Sequence, residues 1–295
     1  MESILKQDFA DFELIVVNDG STDGGEEIVA ACSDPRVRSV NQANAGPGAA
    51  RNRGIAEASG EYIAFLDADD EWLPGYLQRQ VCAFGEHPSA ASVTCSYVEN
   101  PSSIDIKAFW LGRGIEEGLH RVTTATPAML LVYMVAYMLP CNTLSRLDAL
   151  REFGGFYEKD RCVYAEDAFL WLQILLNYPV AFSFEPLVRI HRGAAELSQN
   201  LVGCRPVEPF FARPDLVEAS CPPPLRALLR DFLAIRAFKT ACVVGYWGDW
   251  AGANRLRARF SGPGDWRLPY FLPSLLCSTP AGSFLGAAWR KFKRV

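Results

Sequence analysis

No two of the nine cysteines stand at Cys-x-x-Cys spacing, and the three histidines are not placed near them at zinc-finger distances. Neither a structural zinc site nor a disulfide framework is therefore indicated. Long apolar runs are missing as well. The two most apolar stretches, residues 129–139 and 270–277, fall well short of the roughly 20 residues that a membrane-spanning helix needs. Residues 1–8 are acidic and polar and lack the basic, then apolar, layout of a signal peptide, so a reducing cytoplasm is the expected compartment. No sustained basic run precedes the last few residues, and a net charge of -5 argues against a nucleic-acid partner. Small-molecule partners are expected instead. A Gly-rich phosphate loop with basic residues near the N-terminus is also absent, which speaks against a nucleotidyltransferase.

What is present suffices for a large core: 295 residues, 49% of them hydrophobic, in the range of one large domain or one domain plus an extension. Residues 13–17, Glu-Leu-Ile-Val-Val, end in Asn18-Asp19-Gly20-Ser21, the pattern of a buried parallel strand running into a loop. Ser21 or Thr22 can cap the helix that follows, and residues 36–40 supply a second strand, giving a β-α-β unit. Residues 46–60 hold a small-residue loop and then a helical pattern of Ala49, Ile55 and Ala58. A third strand over 61–66 runs into Asp67-Ala68-Asp69-Asp70. Ligands of open α/β sheets lie beyond the carboxyl ends of the strands, so two Asp-rich loops at such ends predict one shared crevice. Further along, the pattern predicts a strand over 91–97, an irregular substrate-side loop over 102–126, and a helix ending at Gly154-Gly155. A second helix, over 165–176, opens with Glu166-Asp167 and carries Phe169, Leu172, Leu175 and Leu176 on one face.

The texture changes from Arg205 onward. Pro206, Pro209, Pro214 and Pro222-Pro223-Pro224 punctuate the chain before a long helix over 225–246, which places a boundary near residue 204. The last segment interleaves Trp247, Trp250, Trp266, Tyr270, Phe271 and Trp289 with Arg255, Arg257, Arg259, Arg290, Lys291, Lys293 and Arg294. Such a mixture suits peripheral attachment to the inner face of a membrane; a helical appendage packed on the main domain is the alternative.

Five segments, in order, resemble the family-2 glycosyltransferases of GT-A fold. Val17-Asn18-Asp19-Gly20-Ser21-Thr22-Asp23-Gly24 is similar to that family's first nucleotide loop and Asn44-Ala45-Gly46-Pro47-Gly48-Ala49-Ala50-Arg51-Asn52-Arg53-Gly54 to its second. Phe65-Leu66-Asp67-Ala68-Asp69-Asp70 resembles its Asp-x-Asp metal motif, Glu166-Asp167 with Leu170-Trp171-Leu172 its catalytic-base helix, and Arg189-Ile190-His191 the close of its catalytic domain. The resemblance spans about residues 1 to 195. It implies an α/β, Rossmann-like, mostly parallel sheet flanked by helices over residues 1–204, followed by a helical extension over 205–295. It also implies an inverting enzyme that moves a sugar from a nucleoside diphosphate sugar, most commonly UDP-linked, to a hydroxyl of an acceptor glycan or lipid-linked sugar in cell-surface polysaccharide or glycolipid synthesis. A catalytically inactive nucleotide- or carbohydrate-binding remnant is the alternative. Members of that family begin with a buried strand and a Tyr-Asn-bearing segment ahead of the helix that is here under way at residues 2–7. The chain is therefore expected to start too late to contain them, to miss a strand from the middle of its sheet, and to fold poorly or bind donor weakly.

Transfer of this kind puts negative charge on a diphosphate leaving group, which a divalent cation stabilises. The resemblance implies Mn²⁺ or Mg²⁺ on hard oxygen ligands. Asp69 is the implied direct ligand, Asp67 reaches the ribose or a metal-bound water, Asp70 is a nearby alternative, and His191 can meet metal or diphosphate. Alternation along an extended segment would set Asp67 and Asp69 on one side; an acidic turn capping a helix at Glu71-Trp72 is the plainer alternative. Asp19 and Ser21 fall in the donor-nucleotide loop, Asp19 being implied to hydrogen-bond the base, and Arg51 is implied to contact the nucleotide. An Asx-turn and a surface charge are the alternatives for Asp19 and Arg51. Asp167 is the implied general base, with Glu166 orienting the base or the acceptor; ordinary acids favoured at a helix start are the alternative.

Overall fold

The computed structural model describes residues 1–192, 206–282 and 284–285. They fall into two compact units, one of residues 1–122 with 133–192, the other of residues 123–132 with those from 206 onward. The boundary expected near residue 204, and the basic cluster at 290–294, lie outside the described residues.

The first unit opens with α1 (Glu2–Leu5), then β1 (Leu14–Asn18), α2 (Gly25–Ala30) and β2 (Val37–Asn41). β1 and β2 pair in parallel as a sheet of their own, completing the expected β-α-β unit. Neither Ser21 nor Thr22 caps α2. Gly24 takes the left-handed conformation at its N-terminus (φ 81°) and Asp23 Oδ1 accepts the Gly25 N–H at 3.0 Å, so an acidic turn does the work of a hydroxyl cap. α3 (Pro47–Glu57) starts behind Gly46 at φ 97°, with Pro47 at its first position, where the missing N–H costs nothing.

A seven-stranded sheet forms the rest. β3 (Tyr62–Ala64), β8 (Thr143–Arg146), β5 (Ser92–Asn100), β9 (Val180–His191) and β4 (Glu71–Trp72) lie in that order, with β6 (Ile104–Asp105) on β5 and β7 (Gly118–His120) on β9. The expectation of a mostly parallel sheet is corrected here. Only β5 and β9 run parallel; the other pairs of this sheet are antiparallel, because β8 returns along the edges of β3 and β5 in place of a further crossover. The α/β class itself stands, with α4 (Tyr76–Glu86), α5 (Lys107–Leu111), α6 (Ala128–Tyr137), α7 (Leu147–Glu152) and α8 (Glu166–Asn177) between strands. The division between the two sheets falls between β1 and β3.

Other local differences have plain causes. Glu71-Trp72 is a strand, held by pairing with Arg189 and Val188 of β9. The stretch read as an irregular loop contains β6, α5 and β7, each of five residues or fewer, too short to leave a periodic trace. β5 is the buried centre, and its polar side chains are matched across the pair: Ser92 Oγ lies 2.8 Å from Ser145 Oγ, and Thr143 Oγ1 donates to Thr94 Oγ1 at 3.1 Å. Its partner β9 contains Pro186 and shifts register between Cys95 and Tyr97, a bulge being where a strand interior tolerates proline. α8 is buried on nearly every side, from Ala168 to Leu176.

In the second unit α9 (Pro209–Ala212) and α10 (Pro214–Ser220) precede the long α11 (Arg226–Tyr246), which packs against α12 (Trp250–Phe260) and α13 (Phe271–Cys277). Glu208 is buried beside α11, accepting from Arg236 Nη2 at 3.1 Å and from Thr240 Oγ1 at 2.8 Å. All described cysteines are free thiols. No described helix is long and apolar enough to cross a membrane.

Candidate active site

One face of α3 positions the site. Gly48, Arg51, Asn52 and Ile55 recur at helical spacing, and that stripe meets the turn that leads from α7 to α8. A Cβ on Gly48 would stand 2.3 Å from the Tyr157 carbonyl oxygen, so only glycine permits the approach. Asn52 fastens the same turn, accepting the Phe156 N–H at 2.8 Å and donating to the Phe156 carbonyl at 2.9 Å and to Glu158 Oε2 at 2.7 Å. The turn is strained as well as tied: Asp160, Arg161 and Ala165 all have φ between 50° and 58°, a region that non-glycine residues enter at some cost.

Arg51 lies at the centre. Its Nη1 donates to Glu166 Oε1 at 2.7 Å and its Nη2 to both oxygens of Asp67 at 2.9 and 3.1 Å. With its side chain 12% exposed against 10% for Glu166, the guanidinium forms a fork between the Asp-rich loop and the start of α8. Burial opposes its charge, but Asp67 and Glu166 outweigh that and raise its pKa. Both terminal nitrogens of Arg51 thus donate to carboxylates in this structure. Glu166 is thereby an ion-pair partner.

Asp167 follows Glu166 into the first turn of α8, where Oδ1 accepts the Ala168 N–H at 2.7 Å. Dense surroundings and the neighbouring Glu166 charge push its pKa up to about 7, with Arg51 pulling the other way. A carboxyl poised there can exchange a proton near neutrality, which an ordinary surface aspartate cannot.

Asp67, Asp69 and Asp70 bring carboxylate oxygens within 4.8 Å of one another. The cause is a turn, closed by the Asp70 N–H on the Asp67 carbonyl at 3.1 Å, where the sequence suggested extended alternation; the turn is what adds Asp70. Burial, then the charges of Asp69 and Asp67, raise Asp70 to about 6. Three hard oxygen donors this close to one another fit Mn²⁺ or Mg²⁺. His191 touches this loop through its backbone N–H, which donates to Asp70 Oδ1 at 3.0 Å. Its ring turns to Asn100 Nδ2, 3.0 Å from Nδ1, and to Glu71, 3.6 Å from Nε2. The ring is therefore not one of the three clustered donors in this structure.

Asp19 ties the first loop to the second. Gln42 Nε2 and the Ala45 N–H donate to its Oδ1 at 2.8 Å, and the Gly46 N–H to Oδ2 at 2.9 Å, filling three of about four acceptor positions on a carboxylate. Ser21 is exposed in a turn closed by its N–H on Asn18 Oδ1 at 2.8 Å. The motifs named Gly48 and Asn52 only in passing; their spacing from Arg51 is the signal that marks them as site-building residues.

The Glycosyl transferase family 2 model matches residues 1–152. The uncharacterized glycosyltransferase YibD of Escherichia coli (strain K12) is 51% identical over 76 residues, 25% of this chain and 22% of that protein. The succinoglycan biosynthesis protein ExoO of Rhizobium meliloti (strain 1021) is 46% identical over 82 residues, 28% of this chain and 24% of that one. These matches span about a quarter of the relatives' own length. Among solved structures, S. aureus TarS 1-349 in complex with UDP-GlcNAc superposes with a TM-score of 0.72 at 19% identity, covering 98% of this chain and 86% of that one; the likeness is one of fold.

Proposed function

Because the chain belongs to glycosyl transferase family 2, we propose that it transfers a sugar from a nucleoside diphosphate sugar to an acceptor hydroxyl with inversion at the anomeric carbon. The observation that carries this reading is the Arg51 fork, which ties Asp67 of the carboxylate cluster to Glu166, next to Asp167. A donor-side group and the neighbour of the acceptor-side base thus share one buried cation. Asp69 and Asp70, with Asp67 beside them, would hold Mn²⁺ or Mg²⁺. That ion supplies charge neutralisation for the departing diphosphate. Asp167 takes the proton of the attacking hydroxyl, its raised pKa suiting it to hold that proton at neutral pH. Glu166 fixes Arg51, and Arg51 in turn favours the ionised form of Asp167. Asp19 has an acceptor position left for a nucleobase, and Ser21 stands exposed in the same loop.

A UDP-linked donor and an acceptor glycan or lipid-linked sugar, in cell-surface polysaccharide or glycolipid synthesis, are the substrates of this reading. Likeness to a TarS complex with UDP-GlcNAc and to a succinoglycan biosynthesis protein supports it. The test is thermal stabilisation of the chain by UDP, GDP, dTDP and CMP with Mn²⁺ or with EDTA, followed by transfer assays of the parent and Asp167→Asn. Metal-dependent stabilisation by one nucleotide, lost in Asp69→Asn, is expected. Transfer should drop by about 10² to 10⁴ in Asp167→Asn while nucleotide binding persists. Binding without turnover in the parent would favour the inactive remnant, and a product of retained anomeric configuration would refute inversion.

A further inference from the structure

Helix α13 is built inside out. Ser274 is fully buried and Ser278, one turn on, is 8% exposed, whereas Leu272, Leu275 and Leu276 are 68%, 38% and 53% exposed. The buried hydroxyls ask nothing of their surroundings, since Ser274 Oγ donates to the Phe271 carbonyl at 2.6 Å and Ser278 Oγ to the Ser274 carbonyl at 2.7 Å. Small groups on the inner face let the helix lie so close to α11 that a Cβ on Gly245 would stand 2.0 Å from the Cys277 carbonyl oxygen. Turning the leucines inward would open that contact, so the close fit fixes which face is outside.

Apolar exposure continues on either side of the helix. Trp266, Tyr270, Phe284 and Leu285 are also exposed, so that seven large apolar side chains between residues 266 and 285 face solvent, where exposed apolar residues on a soluble surface ordinarily stand singly. The charge of the same stretch is one-sided. Residues 250–295 contain eight lysines and arginines and a single acid, Asp265, in a chain of net charge -5. That acid is buried, accepting the Gly262 N–H, while Arg255, Arg259 and Arg267 are exposed.

We propose that the outer face of α13 seats on a lipid surface carrying anionic head groups, with Trp266, Leu272, Leu275 and Leu276 entering the acyl boundary and the arginines meeting the phosphates. Charge selects this occupant: a second copy would bring two positive segments together, whereas an anionic bilayer satisfies apolar and basic groups at once. The contact is independent of the transfer reading, because it is measured with neither donor nor acceptor present.

Flotation of the full chain with vesicles of phosphatidylcholine alone, or of phosphatidylcholine mixed with phosphatidylglycerol, tests it. Association with the mixed vesicles, weakened by salt, is expected. The double variant Leu272→Ser/Leu276→Ser should bind about tenfold or more weakly, in line with the area each leucine would bury, and keep the parent's melting temperature because both side chains already face solvent. Arg255→Gln/Arg267→Gln should lower binding to the mixed vesicles toward that of phosphatidylcholine alone. Equal binding to both vesicle types, absence of binding, or variants that bind like the parent would overturn the proposal. A parent dimer that the leucine variant converts to monomer, seen by light scattering, would assign the face to a second copy instead.

Discussion

Replacing Arg51 by methionine tests the centre of the site without changing its bulk. The substitution leaves Glu166, whose side chain is 10% exposed, facing a thioether where a guanidinium stood at 2.7 Å. Breaking a buried ion pair from one side costs about 3 to 5 kcal/mol. The low end applies here, since Asp67, with a side chain 49% exposed, regains water when released. At about 2 to 4 °C per kcal/mol for a unit of this size, the melting temperature should fall by about 6 to 12 °C. A second consequence concerns protons. Asp167 stands at about 7, with Glu166 raising and Arg51 lowering it. A base must be ionised to act, so kcat/KM of the parent should fall tenfold per pH unit below about 7. Without Arg51 the ionised form loses support and the acid limb moves to higher pH. Arg51→Lys, which keeps the charge and loses the fork, should fall between the two. A melting temperature within about 2 °C of the parent, together with an unmoved acid limb, would refute the account, since neither the ion pair nor the field it exerts would then exist in solution.

Three further outcomes follow from contacts elsewhere. Asp167 is more easily protonated in the folded chain than unfolded, so its contribution to stability is present below about pH 4 and is lost as pH rises through about 7; Asp167→Asn should therefore gain stability relative to the parent in melts at pH 8 compared with pH 5. Gly48→Ala should cost about 1 to 3 kcal/mol in urea unfolding, because its Cβ meets backbone at 2.3 Å, whereas Gly54→Ala, whose Cβ would meet only Val17 Cγ2 at 3.9 Å, should be neutral or stabilising; equal costs would contradict the close approach at Gly48. In the second unit, Glu208→Ala strands the buried Arg236 guanidinium and should cost about 3 to 5 kcal/mol, read as faster amide exchange along α11; unchanged protection there would remove the pair from the list of what holds that unit.

Much of the first unit is legible because its signals are local. β1 and β3 are short apolar runs ending in turn-forming or acidic residues, and α8 announces itself by periodicity. The site carboxylates were visible for the same reason. What escaped depends on distance along the chain. Arg51 and Glu166 are 115 residues apart, and nothing near either one states that the arginine will meet a carboxylate before it meets a phosphate. β4 exists only because β9 pairs with it, and two residues have no periodicity to read. The direction of β8 follows from how the chain returns, which composition does not record. His191 was placed beside the metal loop by motif, but the turn of its ring is decided by Asn100 and Glu71, neighbours brought from two other strands.

The register of β9 has an arithmetic consequence. Between the pairs Cys95–Ser183 and Tyr97–Val188, β5 advances two residues while β9 advances five, an excess of three. Strand faces alternate with every residue, so an even excess would be silent and an odd one inverts parity. Past the irregularity, Val188 and Ile190 are buried while Arg189 and His191 are partly exposed, opposite Glu71 and Asp70. Deleting one residue from the bulge would leave the composition of β9 almost unchanged and exchange its two faces, presenting isoleucine and valine to the acidic loop. The polar edge of the site is set by a count of residues, so insertions and deletions there act as switches where substitutions act as adjustments.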